Sequence, residues 1–209
     1  MTFDFDRTYY RVLGTRPGYI YNQDEPTIVA TAQGLVTDAR PIFEFDDLDD
    51  VGRWLFLGDR VRRLRVPREA MVVRNRPMSQ GGCHTWSADR IELLEIVDIA
   101  GLMQEYRAAE VEPWVLHLDA YEFPAGFRFP TGVDFLLLEG CLACAPLELP
   151  ARLERLSVSG SALRIDALPP TLAAFEARDS LFEGLAGPPS AAARVHVGRC
   201  VFVPTPRAR

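Results

Sequence analysis

A short apolar motif recurs about every 20 residues through the second half of this 209-residue chain, and it constrains the fold more than any other feature. Each copy contains two core residues separated by one position. The first residue of each core pair falls at 94, 116, 136, 156, 175 and 195, which gives intervals of 22, 20, 20, 19 and 20 residues. Self-similarity at this period predicts a solenoid, because one unit cannot bury its apolar face alone and must stack on its neighbours.

Side chains alternate along a strand, so the motif also predicts which residues point inward and which point outward. In one coil the predicted inward-facing residues are Leu156, Val158, Ser161 and Leu163, and the equivalent residues fill the core of the other coils. If the coils are parallel and in register, the outward residues form two columns. The first column is Glu95, His117, Leu137, Ser157, Glu176 and His196, and the second is Val97, Asp119, Glu139, Ser159, Arg178 and Gly198.

The predicted fold is mainly β: a right-handed parallel solenoid, with leucine-rich-repeat-like or β-helix-like coils of about 20 residues and a β-rich N-terminal cap. Residues 1–50 are assigned to the cap, with strands at 8–13, 27–31 and 41–45. Residues 51–209 are assigned to the solenoid as one unit, with repeats clear from 91 and a strand at 71–73. Two weaker matches are interpreted as degenerate early coils, namely Val51-xx-Trp54-x-Phe56 and Val61-xx-Leu64-x-Val66.

One unit carries a family resemblance. Leu149-Pro150-xx-Leu153-xx-Leu156-x-Val158-xx-Ser161-x-Leu163 resembles the short, proline-containing leucine-rich repeat of bacterial proteins. The resemblance covers about 115 C-terminal residues and implies a binding role rather than catalysis. The chain departs from the family where Asn side chains would hydrogen-bond the turns between coils, because it has Ser or Cys there. A β-helix with similar coil length therefore stays open as an alternative.

The four cysteines admit two interpretations. Cys141-Leu-Ala-Cys144 has the spacing of a zinc-binding pair, and Cys83-His84 would complete four ligands. The repeat favours the second interpretation, in which the thiols fill the core. Cys141 and Cys200 both lie five residues after the first residue of a core pair, at an inward position that Ser161 and Ser180 occupy in other units. We therefore expect core thiols, with no metal and no cofactor.

Charge and composition narrow the partner class. The net charge of −6 argues against a nucleic-acid binder, which gains most of its affinity from a basic surface. The sequence has no 18-residue apolar run and starts without the features of a signal peptide, so we expect a cytoplasmic protein that does not bind membranes.

Two opposed charge runs, 44–50 and 60–68, are expected to pair locally or to face solvent. Partner-binding candidates in the acidic run are Asp46, Asp47, Asp49 and Asp50.

No catalytic motif is present, so we expect a protein-binding module rather than an enzyme. Within this class, a bacterial immunity protein that occludes a basic toxin fits the small acidic chain. A scaffold or secretion-adaptor repeat protein is the alternative, and an enzyme built around Cys83, His84 and Trp86 is a third. Oligomeric state is left open. The binding candidates on the solenoid are Glu95, His117, Asp119, Glu139, Glu176 and Arg178.

Overall fold

The computed structural model describes residues 3–14, 30–31, 34–35, 43–75, 85–189, 192 and 194–205. Its strands are β1 (Tyr9–Leu13), β2 (Ala30–Thr31), β3 (Gly34–Leu35), β4 (Phe43–Phe45), β5 (Arg60–Arg65), β6 (Val72–Arg74), β7 (Trp86–Ala88), β8 (Glu92–Asp98), β9 (Val115–Asp119), β10 (Phe135–Glu139), β11 (Leu142–Ala143), β12 (Arg155–Ser159), β13 (Ala162–Arg164), β14 (Ala174–Arg178), β15 (Leu181–Gly184), β16 (Arg194–Gly198) and β17 (Val201–Pro204). Its helices are α1 (Leu48–Val51), a 3₁₀-helix (Gly52–Leu57) and α2 (Ile99–Ala108). None of the helices in these ranges is long and apolar enough to cross a membrane.

The chain divides into two compact units, one of residues 1–51 and 57–99 and the other of residues 52–56 and 100–209. The first unit is antiparallel: its three-stranded sheets run in the orders β1-β5-β8 and β4-β7-β6, and β2 pairs with β3. Tyr9, Phe45, Leu64 and Trp86 belong to its buried cluster, against which Phe3 packs. The strand predicted at 8–13 is confirmed as β1, and those predicted at 41–45 and 71–73 overlap β4 and β6. Residues 27–29 and 41–42 of the predicted strands lie outside the described residues.

The second unit is a parallel β-solenoid of about four turns, which confirms the predicted fold class. A five-stranded sheet has the order β16-β14-β12-β10-β9, and a four-stranded sheet has the order β11-β13-β15-β17. Every strand pair in both sheets is parallel and in register. Each coil from β10 onward therefore contributes one strand to each sheet. The chain passes between them through a short turn.

The inward columns of the five-stranded sheet are filled as the motif predicts. Two consecutive columns are almost completely buried, at 0–1% exposure: Leu116, Leu136, Leu156 and Phe175 in one, and Leu118, Leu138, Val158 and Ala177 in the other. Equivalent positions stack because the parallel register joins each residue to its counterpart one coil away. Each fully buried leucine contributes about 2 kcal/mol to stability.

The turn after each strand of this sheet has a repeated backbone conformation. One residue per turn adopts a positive φ of 51–60°, and these residues are Ala120, Gly140, Gly160, Asp179 and Arg199. Each of the first four donates its N–H to a carbonyl of the next coil, at 2.7–3.0 Å. The parallel hydrogen-bond ladder thus continues from the strands into the turns.

A column of hydroxyl and thiol groups follows these turns and takes the place of an Asn ladder. Ser161 Oγ accepts a hydrogen bond from the N–H of Cys141 at 3.0 Å, and Ser180 Oγ accepts one from the N–H of Ser161 at 3.2 Å. The same hydroxyls donate to carbonyls, Ser161 to Ser159 O at 2.9 Å and Ser180 to Arg178 O at 2.7 Å. The Cys141 thiol donates to Glu139 O at 3.4 Å. The slot predicted to be inward therefore both fills the core and ties each coil to the preceding one.

The structure corrects the start of the repeat. Residues 91–96, expected to form the first clear coil, lie largely in β8, which pairs antiparallel with β5. The Val61-xx-Leu64-x-Val66 match is likewise an antiparallel strand, and the Trp54–Phe56 match lies in the 3₁₀-helix. Two core residues one position apart fit any half-buried strand, so the motif does not specify the orientation of the partner. The first strand of the parallel stack is β9.

Candidate protein-binding face

The outward side chains of β9, β10, β12, β14 and β16 form one continuous surface, which we call the outer face. The register places His117 beside Leu137 and Asp119 beside Glu139, and further along the sheet it places Ser159 beside Arg178. The two predicted outward columns are therefore confirmed from β9 to β16. The structure brings together five of the six solenoid candidates: His117, Asp119, Glu139, Glu176 and Arg178.

Glu95 does not belong to this face. It lies on β8 in the first unit, where its carboxylate accepts a hydrogen bond from the Arg63 guanidinium. Val97, the first residue of the second predicted column, pairs with Val61 on β5. The prediction of Glu95 as part of the same columns is wrong, because the alternating pattern of β8 is satisfied by the antiparallel sheet.

Without Glu95, the outer face is not mostly acidic. Its charged side chains are three carboxylates and three guanidiniums: Asp119, Glu139 and Glu176 against Arg155, Arg178 and Arg194. The charges are separated, since two of the acids lie on β9 and β10 and all three arginines lie on β12, β14 and β16. The face therefore has an acidic half and a half that is richer in arginine.

The acidic half also has an apolar surface. Val115, Phe135 and Leu137 point outward from β9 and β10 and are half-buried, whereas Glu139 is exposed. His117 lies beside them, with its Nε2 atom 3.5 Å from Glu139 Oε1. This half combines apolar contact area with carboxylates at its edge.

Aromatic residues near the start of the stack border this half. The Phe56 ring stacks on the His117 imidazole with centroids 4.5 Å apart, and Trp54 lies next to Phe56 at 6.3 Å. Trp114, directly before β9, is 46% exposed and has the Arg53 guanidinium 5.3 Å from its ring centroid. The sequence alone does not identify these residues as site candidates. The aromatic pair Trp54-x-Phe56 is the one available signal, and its spacing fits a coil equally well.

The four aspartates predicted from the acidic run lie in the first unit and do not form a uniformly exposed patch. Asp46 is buried, with 7% exposure, and its backbone pairs with Tyr10. Asp47 Oδ1 lies 3.1 Å from Arg7 Nη1, and the Trp86 indole donates to Asp47 Oδ2 at 3.3 Å. Burial raises the pKa of the Asp47 carboxyl despite these two stabilising contacts. Asp49 is more exposed, and Arg7 Nη2 lies 3.9 Å from it, whereas Asp50 is half-buried.

The basic run is held by contacts with other segments of the first unit. Arg62 donates to Leu94 O at 2.7 Å, and Arg63 pairs with Glu95. Arg68 Nη2 donates to both carboxylate oxygens of Asp6, at 2.6 and 2.7 Å. None of these partners belongs to the acidic run 44–50, so these contacts are not the expected pairing of the two charge runs. The partners come from β8 and from the N-terminal segment.

The cysteines of the C-x-x-C pair have different environments. Cys141 is buried in the hydroxyl and thiol column, and burial raises its pKa to about 11, whereas Cys144 is exposed. Within the described ranges, no group of three or more His, Cys, Asp or Glu side chains is placed to hold a metal ion. Cys83 and His84 lie outside those ranges, and Trp86 is part of the first unit's core.

Comparisons of this chain with protein-family models, with curated proteins and with solved structures find no match.

Proposed function

We propose that this protein binds another protein through the outer face, with the β9–β10 half at the centre of the contact. The observation that carries the proposal is the half-buried apolar surface of Phe135 and Leu137 beside the carboxylates of Asp119 and Glu139. Protein interfaces combine an apolar centre with a polar rim in this way. A parallel sheet holds the backbone of these positions in fixed columns, so little backbone entropy is lost when a partner docks.

Within this proposal, the specific role is that of a cytoplasmic bacterial immunity protein, which acts by occluding a basic toxin domain and not by catalysis. The net charge of −6 supports a basic partner, because opposite charge accelerates association. The carboxylates of the β9–β10 half would face the cationic groups with which such a toxin holds its substrate. The arginines of β12, β14 and β16 would discriminate between partners by repelling those whose basic surface extends too far.

We also propose that the coils are short bacterial leucine-rich repeats. The hydroxyl and thiol column supports this placement, since Ser161 and Ser180 bond the backbone between coils at the slot where that family has Asn. A β-helix stays the alternative, because it would also have a second parallel sheet such as β11-β13-β15-β17.

The first experiment maps the contact. A photo-crosslinking amino acid replaces Leu137 on the outer face or, as a matched control, Leu142, which lies on the four-stranded sheet and is 39% exposed. In cells of the source organism, we expect position 137 to capture a protein that position 142 does not. Equal capture from both positions, or none from either, would contradict the proposed face.

The second experiment tests the chemistry with the captured partner purified. Glu139→Arg should weaken binding at least tenfold, which corresponds to about 1.4 kcal/mol. Glu183→Arg is the matched control, because Glu183 is an exposed glutamate on β15 in the other sheet. If both variants bind as tightly as the wild type, the acidic half is not the contact. For the immunity role, co-expression of the wild type but not of Glu139→Arg should restore growth to cells that produce the partner.

A further inference from the structure

The last described coil of the solenoid exposes residues that are buried in every coil before it. Val195 and Val197 occupy the two inward columns of the five-stranded sheet, yet they are 38% and 40% exposed. Their counterparts in the preceding coil, Phe175 and Ala177, are 0% and 1% exposed. On the four-stranded sheet, Phe202 stacks on Phe182 with centroids 5.1 Å apart and is itself only half-buried. In the part of the chain that the structure describes, this end therefore presents an open cross-section of the core.

The strand at this end also has an unpaired edge among the described residues. β16 is the terminal strand of the five-stranded sheet and pairs with β14 on one side. Exposed edge strands are usually protected by charges, prolines or bulges, because their free N–H and C=O groups would otherwise pair with another strand. Along β16, only Arg194 carries a permanent charge. An apolar open end with such an edge favours association.

We infer that a second copy of this chain covers the open end, with β16 of the two copies pairing antiparallel about a two-fold axis at His196. In this register Val195 of one copy lies opposite Val197 of the other, so all four valines stay on the inner side of the joined sheets. The surface is self-complementary, as a two-fold interface requires. The result is a continuous ten-stranded sheet.

Charge placement is compatible with the same arrangement. Arg194 lies opposite Gly198 of the second copy, so the two arginines occupy opposite ends of the strand pair and do not repel each other closely. Arg199, in the following turn, is already paired with Asp179 at 2.7 Å. A foreign strand would have to supply both apolar residues at the same spacing, whereas a second copy supplies them without further assumption. The inference is independent of binding at the outer face.

The test measures the mass of the protein in solution and how substitutions at the open end of the solenoid change it. At about 100 µM we expect a mass of twice 23.4 kDa by light scattering, since a small interface of this kind is of micromolar affinity. Val197→Lys should raise the dissociation constant at least tenfold. Leu142→Lys, at a side chain with 39% exposure against 40% for Val197, should leave it unchanged. A monomer at all concentrations, or equal effects of both variants, would overturn the inference.

A crosslink gives a second readout that does not depend on how well Val197→Lys folds. In a background with Cys83, Cys144 and Cys200 changed to Ser, His196→Cys should form a disulfide-linked dimer on mild oxidation. Residues opposite each other in antiparallel strands lie within the Cα range of a disulfide. Glu176→Cys, one coil further in, should crosslink much more slowly. Equal rates at the two positions would also overturn the inference.

Discussion

Replacing Ser161 with alanine should destabilise the solenoid more than the loss of one hydroxyl from a surface would. Ser161 is only 4% exposed, and its Oγ both accepts from the N–H of Cys141 and donates to Ser159 O. Alanine fits the space but offers neither function. The N–H of Cys141 then stays buried without this acceptor, and water cannot readily replace it.

The magnitude follows from this geometry. A buried donor left without a partner costs about 1–3 kcal/mol, and we expect about 2 kcal/mol for Ser161→Ala. For a chain of this size, that loss lowers the Tm by roughly 4–8 °C. Urea unfolding followed by circular dichroism measures the free energy of unfolding. Hydrogen exchange of a peptide containing Cys141 reports whether the loss is local to this turn.

Two further variants make the test specific. Ser159→Ala removes an exposed hydroxyl two residues earlier and should change the free energy of unfolding by less than about 0.5 kcal/mol. Ser161→Cys introduces the residue that the preceding coil has at this position, Cys141. It should lower the free energy of unfolding by less than half as much as Ser161→Ala does. Equal stability of Ser161→Ala and Ser159→Ala would contradict this prediction and would mean that the column fills space without contributing hydrogen-bond energy.

Three other outcomes are expected. In the native protein a thiol-alkylating reagent at pH 8 should modify exposed Cys144 rapidly and buried Cys141 only after unfolding, as peptide mass spectrometry would show. Burial raises the pKa of the Cys141 thiol from 9.0 to about 11, so the unfolded chain loses this proton at lower pH than the folded one. Stability should therefore fall as pH rises from 9 to 11, by up to about 3 kcal/mol, and Cys141→Ser should lack this component in urea titrations. Gly160→Ala should cost about 1 kcal/mol in the same assay, because φ is +59° there and the added Cβ meets no atom closer than 4.0 Å, so the loss is conformational and not steric.

The sequence predicts the parallel stack well wherever the motif repeats at a constant interval. From residue 115 onward, the 19- and 20-residue spacing identifies the plugs and the outward columns, because a parallel register requires equal coil lengths. The slot of Cys141 and Ser161 is also recognisable in the sequence, since the same position carries small polar residues in successive units.

The region before residue 115 could not be predicted in the same way. The apolar alternation of β5 and β8 is that of any half-buried strand, and the choice of an antiparallel partner depends on tertiary packing. The stacking of Phe56 on His117 joins residues 61 positions apart, and no local pattern indicates it. The exposure of Val195 and Val197 depends on whether another coil packs over them, and a repeat motif does not contain that information.

The hydroxyl and thiol column makes the solenoid modular in length. Each link joins one coil only to its immediate neighbour, so the stack has the energetics of a linear array with nearest-neighbour coupling. Removing or duplicating one whole coil, such as 140–159, leaves the same residues pointing inward and outward in every remaining coil. It changes the width of the outer face by one strand spacing, about 4.8 Å. A binding surface built in this way can be lengthened in fixed steps without redesigning its core.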